Sequence, residues 1–210
     1  MQEKGVISSK RRVLKQGAEA IIYLSERSGR RVVVKERIPK AYRDPALDAI
    51  LRRERTIREA KMLSQARRAG VRTPIIYDVD VLEHSLVMQY IKGRTLRERF
   101  EEQVPSGIPE KIGDMAGTLH DAGIVHGDLT TSNMLLSSEI YLIDFGLSKR
   151  SSEIEDFGAD FLLMEEALIG LHPRRTDVLR LIRKGYAKRF DRAPEVFLKV
   201  DEIKKRRRYV

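Results

Sequence analysis

Short runs rich in apolar and β-branched residues open the chain. Val6–Leu14, Ala20–Glu26 and Arg31–Arg37 read as three strands, and Ser28-Gly29-Arg30 supplies a turn between the second and third. Pro39 and Pro45 bracket the linker Lys40-Ala41-Tyr42-Arg43-Asp44. A long helix is predicted from about Pro45 to Ala69, stopped by Gly70 and Pro74. Ile75–Val81 and Ser85–Tyr90 read as two further strands, with Glu83-His84 near their turn. Past Gly93 helical patterns take over, at about Thr95–Gln103, Pro109–Ala122, Glu153–Ile169, Arg174–Phe190 and Pro194–Arg208. Met134–Leu136 and Ile140–Ile143 can pair as a small ribbon. Five strands with one inserted helix, then a mostly helical half, predict an α+β fold in two lobes, residues 1–91 and 92–210.

The 210 residues suffice for two small lobes with real cores. With 41 Lys+Arg against 31 Asp+Glu, the formal charge is +10. That surplus fits an anionic partner such as nucleic acid or nucleotide, or equally a surface rich in ion pairs as in heat-adapted proteins. The absence of cysteine excludes a disulfide framework, a thiol nucleophile and a Cys-ligated metal. His84, His120, His126 and His172 are too dispersed for a His-rich metal site. The first residues, MQEKGVISSKRR, lack the apolar core of a signal peptide, and no stretch approaches a membrane span, so a cytoplasmic protein is expected.

The strongest chemical signal is His126-Gly127-Asp128-Leu129-Thr130-Thr131-Ser132-Asn133, followed after one ribbon by Asp144-Phe145-Gly146. Phosphoryl transfer needs a group that orients the attacking hydroxyl or water, and oxygen ligands that hold Mg²⁺ on the phosphates. An Asp with an Asn five residues on can present both side chains from one loop, Asp128 toward the nucleophile and Asn133 toward the metal. Asp144, ending the strand Ile140–Ile143, adds a second metal ligand. Order and spacing resemble the catalytic loop and metal motif of protein kinases. Asp156-Phe157-Gly158 repeats the tripeptide but lacks a preceding apolar strand, and Asp156 reads as a helix start or partner surface.

That resemblance implies a bilobal protein-kinase-like fold with a five-stranded N-lobe plus one helix and a truncated helical C-lobe. It implies that Lys35, at the end of Val32-Val33-Val34-Lys35, contacts the α/β-phosphates of ATP and pairs with a helix glutamate. Helical periodicity leaves Glu54 and Glu59 both open; alignment with the family favours Glu59. The phosphate-covering turn falls on Lys15-Gln16-Gly17-Ala18-Glu19-Ala20, with a single glycine, where backbone N–H groups can still cradle phosphate. Gln89-Tyr90-Ile91 falls where a hinge hydrogen-bonds adenine through its backbone, so Gln89 and Ile91 join the ATP-binding set.

Gly127 stands where regulated kinases carry an Arg that senses a phosphorylated activation loop, and no Ala-Pro-Glu follows Asp144. Too little chain follows Gly146 to build a peptide-docking half. The sequence resembles the small atypical kinase of the KEOPS complex, the PRPK family. The residues that carry this are Gln16-Gly17-Ala18-Glu19-Ala20; Lys35-Glu36-Arg37-Ile38-Pro39-Lys40 with Tyr42-Arg43-Asp44-Pro45-Ala46-Leu47-Asp48; Arg58-Glu59-Ala60; Arg68-Ala69-Gly70; His126–Asn133; Asp144-Phe145-Gly146-Leu147; His172-Pro173; and the terminal Lys204-Lys205-Arg206-Arg207-Arg208. Asp156-Phe157-Gly158-Ala159-Asp160 departs from the family pattern.

The resemblance implies an Mg²⁺- and ATP-dependent Ser/Thr kinase or ATPase that supports N6-threonylcarbamoyladenosine formation on tRNA. It implies a Kae-type threonylcarbamoyltransferase on the C-lobe and a small accessory subunit on the N-lobe. The basic run Lys204–Arg208 can neutralise phosphates with salt-dependent affinity, and tRNA contact is expected there. Three rivals share parts of the pattern. An antibiotic-type small-molecule phosphotransferase has His-Gly-Asp and a downstream Asn. A RIO-type ribosome-assembly kinase equally lacks a peptide-docking lobe but differs at Asp144-Phe145-Gly146 and in the loop at Leu129-Thr130-Thr131-Ser132. A pseudokinase scaffold would need none of Lys35, Asp128, Asn133 and Asp144.

Overall fold

A computed structural model describes residues 11–102, 106–171 and 176–208. The start of the predicted strand Val6–Leu14, and His172-Pro173, lie outside the described residues. The chain divides into two compact units, residues to Ser64 with Pro74–Ile91, and Gln65–Thr73 with the chain from Lys92 onward.

The first unit is a five-stranded antiparallel sheet in the order β1-β2-β3-β5-β4. Its strands are β1 (Arg12–Gln16), β2 (Ala20–Arg27), β3 (Arg30–Arg37), β4 (Ile76–Asp80) and β5 (Ser85–Gln89), with helix α1 (Pro45–Arg68) inserted after β3. Ser28 and Gly29 join β2 to β3 with φ of 49° and 74°, the left-handed pair that a two-residue hairpin of type I′ demands. Strand alternation sorts the side chains of β3. Val32 and Val34 pack with Val87 and Tyr23 on one face. Val33 joins Leu86, Met88, Ile76 and Val79 on the other, against Ala60 of α1. Lys35 and Arg37 share the parity of Val33 and therefore point toward α1. Asp44 Oδ1 starts α1 by accepting from the backbone N–H of Ala46 and Leu47, both at 3.0 Å.

The second unit opens with β6 (Arg94–Thr95), α2 (Leu96–Glu102) and α3 (Ile108–Asp121). Then come β7 (Ile124–Val125), a 3₁₀ turn over Thr131–Asn133, β8 (Met134–Leu136), β9 (Ile140–Leu142) and β10 (Lys149–Arg150). Helices α4 (Ile154–Leu171), α5 (Thr176–Arg189) and α6 (Ala193–Arg208) complete it. β6, β8 and β9 form one small sheet, and β7 pairs with β10. Helices α3 and α5 meet through glycine. A methyl group on Gly113 would fall 2.0 Å from Ile182 O, and one on Gly185 would fall 2.1 Å from Glu110 O. The core beside this seam is aromatic, built from Phe157, Phe161, Tyr186 and Phe190 around the buried His120.

Among the described residues the predicted helices and the other longer strands fall within a few residues of the observed ones, whereas the strand predicted at Val6–Leu14 lies later, at Arg12–Gln16. The two-residue strands β6, β7 and β10 carry no periodicity long enough to read. The terminal basic run is the end of α6. Lys204 donates to the buried Glu165 at 2.6 Å, Arg206 to Glu155 at 2.5 Å, and Arg207 to Glu166 at 2.7 Å, all three acids on α4. The run is therefore an ordered helix end tied to α4 by ion pairs.

Candidate nucleotide-handling site

In the first unit Lys35 and Glu59 form a buried pair. Lys35 is 7% exposed and Glu59 1%, and the ammonium donates to Glu59 Oε1 at 2.6 Å. Glu54, the competing glutamate, is exposed on α1. The other oxygen of Glu59 takes Arg37 Nη2 at 2.5 Å. Burying one carboxylate with two cations satisfies its lone pairs and keeps both cations oriented. Arg37 was not singled out in the sequence, although its two-residue spacing from Lys35 places it on the same face.

The turn Gln16–Ala20 joins β1 to β2, closed by Gly17 N–H donating to Ala20 O at 2.9 Å. Gln16, Gly17 and Ala18 are exposed, and the Glu19 carboxylate receives Arg55 Nη1 at 2.6 Å. Gln89 ends β5 and uses both its backbone N–H and its side-chain oxygen on Ile75, at 2.8 and 3.3 Å. Ile91 is buried.

In the second unit the loop from β7 to β8 carries Asp128 and Asn133. Asn133 Nδ2 donates to Asp128 Oδ2 at 2.7 Å and to Asp128 O at 2.9 Å, so the two predicted residues are in direct contact. The loop is tightened by Thr130 N–H on Asp128 O and Asn133 N–H on Thr130 O. Ile143 N–H donates to Asn133 O at 2.9 Å, which ties the loop to the segment carrying Asp144. Asp144 is exposed, with φ of 63°, and its Oδ1 accepts Gly146 N–H at 3.4 Å. A left-handed φ at a non-glycine residue is a sparsely used conformation that clusters at functional sites.

His126 is fully buried. Its Nε2 donates to Ile143 O at 3.1 Å, its Nδ1 accepts Asp128 N–H at 3.2 Å, and its ring packs edge-on against Phe145. Burial holds this imidazole below the usual histidine range, which matches a neutral ring with one donor and one acceptor. Gly127 has φ of 80°, and a methyl group there would meet Leu147 O at 2.6 Å. No arginine fits that backbone position in this conformation, which gives a local steric reason for the glycine.

Sequence reasoning missed the residue that holds the loop from below. Asp160, on α4, is buried; its Oδ2 accepts His126 N–H at 2.7 Å and its Oδ1 accepts Gly127 N–H at 2.9 Å. His120 Nε2 donates to Oδ2 at 3.2 Å, and His120 Nδ1 lies 2.7 Å from Tyr186 OH. Burial would raise this carboxyl, but the His120 bond and the neighbouring His126 hold it below the usual carboxylate range. Its signal in the sequence is an acid on the apolar stripe Phe157, Phe161, Met164. Asp156, in the repeated tripeptide, takes Lys149 Nζ at 2.8 Å and Ser151 Oγ at 2.6 Å at the start of α4.

The pattern of the RIO domain matches residues 31–157. A KEOPS complex subunit Bud32 from Pyrococcus abyssi is 42% identical, covering 94% of this chain and 96% of that protein. A probable bifunctional tRNA threonylcarbamoyladenosine biosynthesis protein from Methanosarcina mazei is 46% identical over 94% of this chain, which spans only 35% of that protein's length. Among solved structures, the Rio2 kinase–ADP/Mg²⁺–phosphoaspartate complex from Chaetomium thermophilum superposes with a TM-score of 0.64 at 18% identity, covering 97% of this chain and 72% of that one. The RIO pattern, a rival on sequence grounds, therefore describes the shared kinase-like fold, while the sequence relatives narrow the branch. The chain belongs to the RIO-domain family of kinase-like proteins, in the PRPK branch that includes the KEOPS subunit Bud32.

Proposed function

We propose that the chain is the ATP-dependent kinase or ATPase subunit of a cytoplasmic KEOPS-type complex that supports N6-threonylcarbamoyladenosine formation on tRNA. The observation that carries this reading is the Asp128–Asn133 contact at 2.7 Å inside a loop anchored on Asp160. The setting comes from the names of the relatives, a KEOPS subunit and tRNA threonylcarbamoyladenosine biosynthesis proteins.

In this reading Lys35, aimed by Glu59, binds the α/β-phosphates of ATP. The turn Gln16-Gly17-Ala18-Glu19 covers the phosphates, and the backbone of Gln89 and Ile91 takes the adenine. Asn133 and Asp144 would hold Mg²⁺. The donor chemistry fits that ion: Asn133 gives its amide nitrogen to Asp128, which leaves the amide oxygen, and Asp144 offers a carboxylate. Bound Mg²⁺ supplies charge neutralisation on the phosphates. Asp128, with Oδ2 held by Asn133, orients the attacking group through its remaining oxygen. A Ser or Thr hydroxyl at that position gives protein phosphorylation, including autophosphorylation; a water gives hydrolysis. A Kae-type transferase on the second unit and a small accessory subunit on the first complete the proposed assembly.

The test follows γ-labelled ATP with the purified chain, alone and with a Kae-type partner plus tRNA. Free phosphate should rise with partner and tRNA while labelled protein falls. Asp128→Ala and Asp144→Ala should each lose about 10²-fold or more of the turnover. Wild-type turnover in Asp144→Ala would end this assignment.

A further inference from the structure

The turn Lys15–Ala20 lacks the glycines that ordinarily let such a loop close over phosphate, and its one glycine does not shape it. Gly17 is outside the left-handed region, and a methyl group there would sit 3.5 Å from Ala20 O, an ordinary contact. The turn is instead held by side chains and backbone from three neighbouring segments. Arg55 of α1 donates to Glu19 Oε1 at 2.6 Å. Arg37, at the end of β3, places Nη1 3.6 Å from Glu19 Oε2. Lys40, in the linker, donates to Ala18 O, and Ile38 N–H donates to Glu19 O at 3.2 Å. Arg37 is also the second cation on Glu59, whose other oxygen holds Lys35. The result is a continuous chain of charge contacts, Arg55–Glu19–Arg37–Glu59–Lys35.

We infer that Glu19 is a positioning residue and not a phosphate contact: it latches the turn onto Arg55 and Arg37, and through Arg37 onto the ion pair that aims Lys35. A carboxylate facing phosphate would repel it; this one is turned to cations, and the Arg55 hydrogen bond, with the charges of Arg55, Arg37 and Lys40, holds it below the usual carboxylate range. The latch preorganises two elements together, so that a ligand meeting both finds them already in register. It gives the otherwise unassigned Arg37, Lys40 and Arg55 a common task. The use of the latch for nucleotide rests on the reading of Lys35 given under Proposed function; the latch itself does not.

Two readouts test it. Amide hydrogen exchange in the nucleotide-free protein should show residues 17–20 exchanging about two- to fivefold faster in Glu19→Gln and in Arg55→Met, with the β2 and β3 amides beyond the turn unchanged. Arg55→Lys should retain much of the protection, and the double variant Glu19→Gln/Arg55→Met should be no faster than either single change. In the second readout, KM for ATP should rise by a similar factor in Glu19→Gln while kcat stays within twofold. Unchanged exchange at the turn, or exchange raised throughout the first unit, overturns the latch. Faster exchange confined to the turn in a protein that binds no nucleotide upholds the latch and defeats the ATP reading instead.

Discussion

In the first unit Glu59 stands between Lys35 and Arg37 at 2.6 and 2.5 Å, and one buried anion is matched by two buried cations. In the second unit Asp160 is just as buried, but it is met mainly by backbone N–H groups, those of His126 and Gly127, with His120 beside them. One half fixes a side chain with charge; the other fixes a loop with directed hydrogen bonds. Charge tolerates small errors of geometry and suits a flexible lysine. Backbone bonds to both carboxylate oxygens fix the course of the chain itself, which is what a loop carrying Asp128 and Asn133 requires.

Glu59 is the most sensitive position of the first unit. Glu59→Ala leaves two buried cations without their shared carboxylate, and should cost about 3–5 kcal/mol in denaturant unfolding. Hydrogen exchange should show the loss in β3 and β5 while α3 and α5 keep their protection; a uniform loss would mean that the two units do not unfold separately. Asp160→Asn should cost less, about 2–3 kcal/mol, because the amide keeps one acceptor for the loop.

Acid acts on the second unit through two buried groups. A carboxyl held low in the folded state stabilises above its ordinary pKa of about 4, and that contribution is lost as pH falls through the lower folded value. Asp160→Asn should therefore flatten the dependence of Tm on pH below about 4. His126 acts earlier, since a buried imidazole held low loses stability as pH falls below about 6.5, where the unfolded chain takes up the proton and the folded one resists it. Tm measured from pH 7 to 3 separates the two limbs.

The smallest effect concerns the α4–α6 surface, where the second unit also uses charge. Arg206 and Arg207 are exposed and paired with Glu155 and Glu166. If tRNA meets this face, it must compete with those acids. Glu155→Gln with Glu166→Gln should then tighten tRNA binding about two- to fivefold and steepen its salt dependence, with stability changed by less than about 1 kcal/mol. Unchanged binding would assign the basic helix end to holding α4 alone.

Most of the fold was legible in the apolar, β-branched runs of β2, β3 and β5 and in the span of α1 between Pro45 and Gly70, because those patterns are local. Lys35, Asp128, Asn133 and Asp144 were legible for a different reason: their spacing is tied to one loop and one ribbon. The partner of Lys35 was not decided by periodicity, since Glu54 and Glu59 each share a stripe with apolar neighbours and only packing against the sheet separates them. Arg37 was overlooked although it obeys the same alternation as Lys35. Asp160 was hidden by the repeated tripeptide before it, and its contact with His126 spans 34 residues of sequence, which no local pattern reports. The terminal cations looked like a free polyanion contact because their partners, Glu155, Glu165 and Glu166, lie on a helix two elements away.

The seam of α3 and α5 has a consequence for how this protein can evolve. Replacing glycine by alanine inside a helix ordinarily stabilises, because the unfolded chain has fewer conformations to give up. At Gly113 and Gly185 that route is closed, since the added methyl would strike the facing main chain at 2.0 and 2.1 Å. A lineage moving to higher temperature would have to leave these positions alone and adapt at the surface. The seam should therefore be among the slowest-changing parts of the second unit, for reasons of space and not of chemistry.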